Sequence, residues 1–315
     1  MELRLGTRSS PLALCQANWV KDRVEERNPS VAVTLVHIKT TGDKIDTPLF
    51  KVGGKGLFVK EIEEALLTGE ADLAVHSMKD VPTEFPAGLH LTAICRREDP
   101  RDAFISGGRI PSFKALPDSA RVGTSSLRRA CQLLHIRPDI KIMQLRGNLE
   151  TRFRKLDEGQ FDAMILASAG VKRLGWGKRI TEIIEPSTSL PAIGQGAIGI
   201  ECRIDDEFIR SLVAPLNHDE TSICVRAERS LLKRLQGGCQ VPIAAYAVVR
   251  DGTLIMDGLV GSVDGIRIIR EHLEGDPAEA EMIGRRLAEM LLEKGADKIL
   301  TEVYGSSIDL SDAAV

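Results

Sequence analysis

Arg4-Leu5-Gly6-Thr7-Arg8-Ser9-Ser10 near the N-terminus is echoed by Arg121-Val122-Gly123-Thr124-Ser125-Ser126, and each stretch leads into a helix-like segment containing Cys-Gln. A fainter echo, Ala71-Asp72-Leu73-Ala74-Val75 against Phe161-Asp162-Ala163-Met164-Ile165, follows in the same order. Two pairs in register predict two similar lobes. Strand-like and helix-like stretches alternate up to residue 200, the pattern of an α/β domain with mostly parallel strands. Residues 31–38 read as a strand and 72–76 as the next. Between them, residues 57–67 set Phe58, Ile62, Ala65 and Leu66 at helical spacing, with Gly69 as a stop.

Residues 190–200, with Gly194, Gly196 and Gly199 and no charge, read as a buried crossover that returns the chain to the first lobe. After Asn217 the pattern changes to a helix around 222–235, three strand-like runs within 241–273, and a final helix opened by Asp276-Pro277 and stopped near Gly295. This is a small α+β domain. The expected division is residues 1–95 and 196–215 for lobe 1, 96–195 for lobe 2 and 216–315 for the C-terminal domain. Hinges are expected near 96–100 and 191–196.

The 315 residues, 43% hydrophobic and 28% charged, suit a multidomain globular chain, and no apolar run approaches the roughly 18 residues of a membrane span. Met1 to Gly6 reads as a strand rather than a secretory leader, so a cytoplasmic location is the default. Cys15, Cys95, Cys131, Cys202, Cys224 and Cys239 form no CxxC pair and have no histidine at metal-ligand spacing. Thiols, with neither a disulfide framework nor a metal site, are expected. The net charge of −3 hides an asymmetry. Nine Arg and four Lys against three Asp and two Glu give residues 121–179 a charge of +8, which leaves −11 for the rest. With only 4% aromatic residues, a small polyanion fits this basic segment better than nucleic acid.

Both Gly-Thr-x-Ser segments put Ser or Thr at a strand-to-helix junction, where unpaired N–H groups favour an anion. In the second, Leu127, Ala130, Cys131 and Leu134 form the expected buried face, leaving Arg128 and Arg129 in the first turn. Cations there oppose the helix dipole unless a bound anion reverses the field; two solvated arginines are the alternative. In Leu145-Arg146-Gly147-Asn148, Asn148 can cap a helix whose apolar face is Leu149, Phe153 and Leu156, with Arg152 in an early turn. Several arginines at strand ends of one lobe suit a ligand with many carboxylates.

Lys51-Val52-Gly53-Gly54-Lys55-Gly56 fails the phosphate-loop spacing, which argues against nucleotide hydrolysis, yet its glycines could bring Lys55 over a ligand. In His76-Ser77-Met78-Lys79-Asp80-Val81-Pro82, Asp80 follows a strand end that faces the ligand crevice of an open α/β sheet. A carboxylate there could hold N–H groups and stabilise a cation, or simply pair with Lys79 or cap a turn. Cys239, in Gln236-Gly237-Gly238-Cys239-Gln240, lies on a glycine-rich loop; taken alone it reads as an inert thiol.

These motifs, together with Gly123-Thr124-Ser125-Ser126-Leu127-Arg128-Arg129 and Gly237-Gly238-Cys239-Gln240-Val241-Pro242, resemble the porphobilinogen deaminase (hydroxymethylbilane synthase) family along the whole chain. The resemblance implies two lobes folded like a type II periplasmic binding protein and a third domain bearing Cys239. It implies a dipyrromethane cofactor on Cys239 through a thioether, built from the enzyme's own substrate. It implies head-to-tail addition of four porphobilinogen molecules, each losing ammonia, and hydrolytic release of the linear tetrapyrrole. Asp80 matches the catalytic acid, and Asp80, Lys55, Ser126, Arg128, Arg129 and Arg146 match cofactor contacts. Arg8, Arg146, Arg152, Arg173, Ser10 and Gln16 match substrate contacts. A monomer without metal, nucleotide, nucleic-acid or membrane partners is expected. The rival from the residues themselves is a two-lobed anion-binding module without catalysis, which leaves the Gly-Gly-Cys loop and the third domain without a role.

Overall fold

The computed structural model describes residues 1–44, 56–238 and 241–305. β1 (Glu2–Thr7), β2 (Ala32–His37), β3 (Leu73–Ser77) and β4 (Leu89–Ile94) begin a first sheet. β5 (Asp102–Ile105), β6 (Arg121–Gly123), β7 (Lys141–Met143), β8 (Ala163–Ala167) and β9 (Glu182–Ile184) form a second, and β10 (Ile198–Arg203) returns to the first. The orders β2-β1-β3-β10-β4 and β7-β6-β8-β5-β9 superimpose position for position, each with three parallel strands and one antiparallel strand beside them. Each lobe thus receives its antiparallel strand from a crossing between the lobes.

The two sequence echoes are the two ends of one duplicated interaction. Arg4 donates its backbone N–H to Asp72 Oδ2 at 2.8 Å and its guanidinium to Oδ1 at 2.7 Å. Arg121 repeats this with Asp162 at 2.7 and 2.9 Å. Each pair ties the second strand in the sheet order to the start of the third, β1 to β3 and β6 to β8.

Helices α1 (Pro11–Arg27), α2 (Lys60–Leu67), α3 (Leu127–Ile136), α4 (Leu149–Asp157), α5 (Ser168–Arg173) and α6 (Glu207–Val213) cover the sheets. Ser10, Ser126 and Asn148 cap α1, α3 and α4 by accepting from the N–H groups of Ala13, Arg129 and Thr151. Two expectations need correcting. α2 begins at Lys60, after a turn that includes Phe58, so only Ile62, Ala65 and Leu66 of the anticipated stripe are buried. In α3 the buried face is rotated: Arg128, Arg129, Gln132 and Leu133 are inside with Ala130 and Cys131, whereas Leu127 and Leu134 are half-buried. A hydrophobicity pattern cannot anticipate this, because buried counter-charges from other segments make the interior hospitable to guanidinium groups.

The crossings, 95–101 and 185–197, run side by side. Arg97 Nε donates to Gln195 O at 2.8 Å, and the Glu98 N–H to Gly196 O at 3.1 Å. Gly196 has φ +92°, and a Cβ there would lie 2.3 Å from Glu98 O, so only glycine allows the approach.

The C-terminal part places α7 (Asp219–Arg234), α8 (Ala280–Glu293) and α9 (Ala296–Tyr304) around an antiparallel sheet of β11 (Ile243–Arg250), β12 (Thr253–Gly261) and β13 (Ile268–Gly275). Leu231, Leu235, Val260, Leu287 and Leu291 are in its core. The chain does stop a helix at Gly295, where φ is +95°, but that helix is not the final one, because α9 follows it. No helix among the described residues is long and apolar enough to cross a membrane.

Candidate active site

β3 ends at Ser77, and a single tight turn, Met78–Asp80, carries Asp80 off its C-terminal end. Two contacts hold that turn from below. The Met78 N–H donates to Ala197 O at 3.0 Å, joining it to the second crossing. Gln16 of α1, 4% exposed, bonds through its amide to the Ser77 hydroxyl, Nε2 to Oγ at 2.9 Å. Gln16 therefore braces the strand end, and Ser10 caps the same helix.

Arg128 and Arg129 are neither solvated nor unengaged: they enclose Asp102, the fully buried first residue of β5. Arg128 Nη1 lies 2.9 Å from Oδ2, and Arg129 Nη2 lies 2.8 Å from Oδ1. Ser189 Oγ and Gln195 Nε2 each add a bond to Asp102 at 2.9 Å. Burial by itself would raise the Asp102 carboxyl, but the two guanidinium groups hold it well below the usual carboxylate range. Two cations share one anion, and Arg128 Nε is buried without a hydrogen-bond partner. The Ser126 hydroxyl caps this same turn.

Across the cleft, burial pushes the Arg152 guanidinium down to about 10, Arg129 and Arg146 add repulsion, and Asp80 opposes them. Lys79 is likewise lowered by burial, with Asp80 raising it and Arg129 and Arg152 lowering it further. Asp80 of one lobe thus acts electrostatically on Arg152 of the other, which also feels Arg129 and Arg146. Arg152 Nε is oriented by Gly147 O at 2.8 Å. The Arg8 guanidinium lies 4.4 Å from the Phe58 ring centroid. Arg173 sits at the second crossing, donating to Gly196 O at 2.6 Å, and its burial lowers it. Lys55 and Cys239 lie outside the described residues. The five described cysteines are thiols. Burial pushes Cys95, Cys131 and Cys224 up to about 12, which makes them poor nucleophiles.

This arrangement suits a dipyrromethane with its acetate and propionate groups. Arg152 stands within electrostatic reach of Arg129 and Arg146, and among the described residues Arg128 Nε is buried without a hydrogen-bond acceptor.

Sequence reasoning missed Asp102, Gln195 and Ser189, which lie far from α3 in the chain and bear no local motif. It also missed a buried cluster beneath the Asp80 turn. His76 Nε2 lies 2.8 Å from Glu201 Oε2, and Glu63 is raised to about 7 by burial and then by the Glu201 charge, with His76 opposing.

Two outcomes follow from these charges. Asp102→Asn should cost about 3–5 kcal/mol in denaturant unfolding, because it leaves two guanidinium groups buried without their counter-ion. Glu63 has a folded pKa above its ordinary 4.5, so its contribution to stability is complete below that value and lost as pH rises through about 7. Glu63→Gln should therefore match the parent near pH 4.5 and exceed it by about 1–2 kcal/mol at pH 8, as read from thermal melts at both pH values.

Residues 3–211 match the family model described as porphobilinogen deaminase, dipyromethane cofactor binding domain, and residues 222–293 match porphobilinogen deaminase, C-terminal domain. The porphobilinogen deaminase of Pelobacter propionicus is 58% identical over 98% of this chain and 99% of its own length. That of Geobacter metallireducens is 59% identical over 96% and 95%. Among solved structures, the methionine-binding protein MetQ aligns with a TM-score of 0.43 and 15% identity over 70% of this chain and 92% of its own. The periplasmic VFT2 domain of Bordetella pertussis BvgS gives 0.40 and 18% over 68% and 85%. With both domain models matched in order and near-complete relatives at this identity, the chain belongs to the porphobilinogen deaminase family.

Proposed function

We propose that the interlobe cleft condenses four porphobilinogen molecules head to tail on a dipyrromethane anchored at Cys239, with Asp80 as the acid and the surrounding arginines as carboxylate clamps. One observation carries this reading: Asp80 stands at a strand end within electrostatic reach of Lys79 of its own lobe and Arg152 of the other, and Arg152 in turn lies within reach of Arg129 and Arg146. Such a site prefers a ligand that is anionic at its rim and cationic at its reacting centre.

In each addition the C–N bond of the aminomethyl group breaks and ammonia leaves, while a C–C bond forms to the terminal pyrrole and that ring carbon loses a proton. When bound, the dipyrromethane supplies the first pyrrole on which the chain grows. Asp80 is placed to accept pyrrole N–H hydrogen bonds, to lower the energy of the methylene cation and to carry a proton to the departing amine. Arg8, Arg146 and Arg152 hold substrate carboxylates, with Ser10 and Arg173 at the cleft margin. Arg128, Arg129, Ser126 and Lys55 hold those of the cofactor. Gln16 serves by fixing Ser77, the residue that launches the Asp80 turn. Because Asp102 already takes part of the charge of Arg128 and Arg129, a cofactor carboxylate completes an existing ion network rather than creating one. The five free thiols agree with a reducing cytoplasm, and we assign a monomer, which light scattering tests.

Asp80→Ala should fold and lose turnover by at least about a hundredfold, measured as porphobilinogen consumed per folded molecule. The intact mass of the purified protein should exceed the chain mass by two linked pyrrole units, and Cys239→Ser should lack that excess. An unmodified mass for both, even after incubation with porphobilinogen, would favour the binding-module reading.

A further inference from the structure

We propose that Arg229 is a positioning residue for Asp80, holding the acid's turn against the helix that leads to the Cys239 loop; this rests on the assignment of Asp80 as the acid. Arg229 belongs to α7 of the C-terminal part, yet its guanidinium crosses to lobe 1. Nη1 donates to Val81 O at 3.0 Å and Nη2 to Pro82 O at 2.5 Å, the first two carbonyls after Asp80. The group is backed by Phe85, whose ring centroid lies 5.5 Å away.

Neither Val81 nor Pro82 belongs to a strand, and Pro82 has no N–H, so the long Val81 N–H bond to Met78 O at 3.2 Å is the backbone tie that this side of the turn supplies itself. A two-pronged planar donor fixes two successive peptide planes at once, which a lysine ammonium cannot reproduce. The held Val81–Pro82 peptide joins the Asp80–Val81 peptide at the Val81 Cα, so a shift there is passed to the backbone that carries the Asp80 carboxyl group. The preceding residue, Glu228, accepts from Arg97 Nη1 at 2.6 Å and from the Gly194 N–H at 2.7 Å, which secures the same stretch of α7 to both crossings. α7 ends at Arg234, and the chain then runs through Gly237-Gly238 to Cys239. Burial lowers Arg229 to about 10 while Glu201 opposes the shift, so the charge is retained at neutral pH.

The test compares Arg229→Met and Arg229→Lys holoenzymes with Arg226→Met, an exposed control on the same helix that pairs with Glu281 at 2.9 Å. Cofactor loading is read by intact mass, and kcat and KM are taken per loaded molecule. Arg229→Met should load fully, keep KM within about twofold and lose about tenfold in kcat, while Arg229→Lys recovers part of that loss and the control matches the parent. Placed on Asp80→Glu, whose carboxylate is already displaced, the same Met substitution should cost less than about twofold. Unchanged kcat per loaded molecule, or the same loss in both backgrounds, would overturn the proposal. So would a fall in loading alone, which marks a purely structural contact. If Arg229→Met does not fold, Arg229→Lys in the two backgrounds decides by the same criteria. Turnover that survives Asp80→Ala would instead remove the acid assignment beneath it.

Discussion

A carboxylate without solvent contact, Asp102, is enclosed by two guanidinium groups, a hydroxyl and an amide, and the lobes are organised around that constraint. Its partners come from α3 and from the returning crossover, which supplies both Ser189 and Gln195. Removing such a charge from water costs several kcal/mol, which the ion pairs and the two further hydrogen bonds offset only when all the segments are in place. The network therefore acts as an assembly condition: the basic first turn of α3 is tolerated only when both crossings are correctly laid beside it. Its excess of one positive charge is what the cleft offers to an anionic ligand.

A second constraint comes from α7. Glu228 and Arg229, adjacent in sequence, project to different targets, the crossings and the Asp80 turn. A helix that holds both can transmit the lobe arrangement to the loop it leads into.

The environment of Asp80 combines these effects. Asp80 is carried by a short turn whose lower side is fixed by Gln16 through Ser77 and whose far side is fixed by Arg229. Polar groups already held in place need little rearrangement as charge develops, which is the condition for electrostatic stabilisation of a cationic intermediate.

The chain order alone determined the duplicated lobes, the strand-to-helix junctions at the two Gly-Thr-x-Ser segments, the cap at Asn148, the three-strand C-terminal sheet and the family motifs around Asp80, Arg128 and Cys239. All of these depend on local spacing: a cap needs its acceptor three residues before its donor, and a repeat shows itself by register. Tertiary structure decided where Arg128 and Arg129 point, that Gln16 braces a strand rather than standing free, and that Arg229 reaches the acid's turn. Their partners lie 26 to 148 residues away, as with Asp102 for Arg128 and Val81 for Arg229. A buried charge is stabilised by whatever the fold brings beside it, and no periodicity in its own segment records that partner.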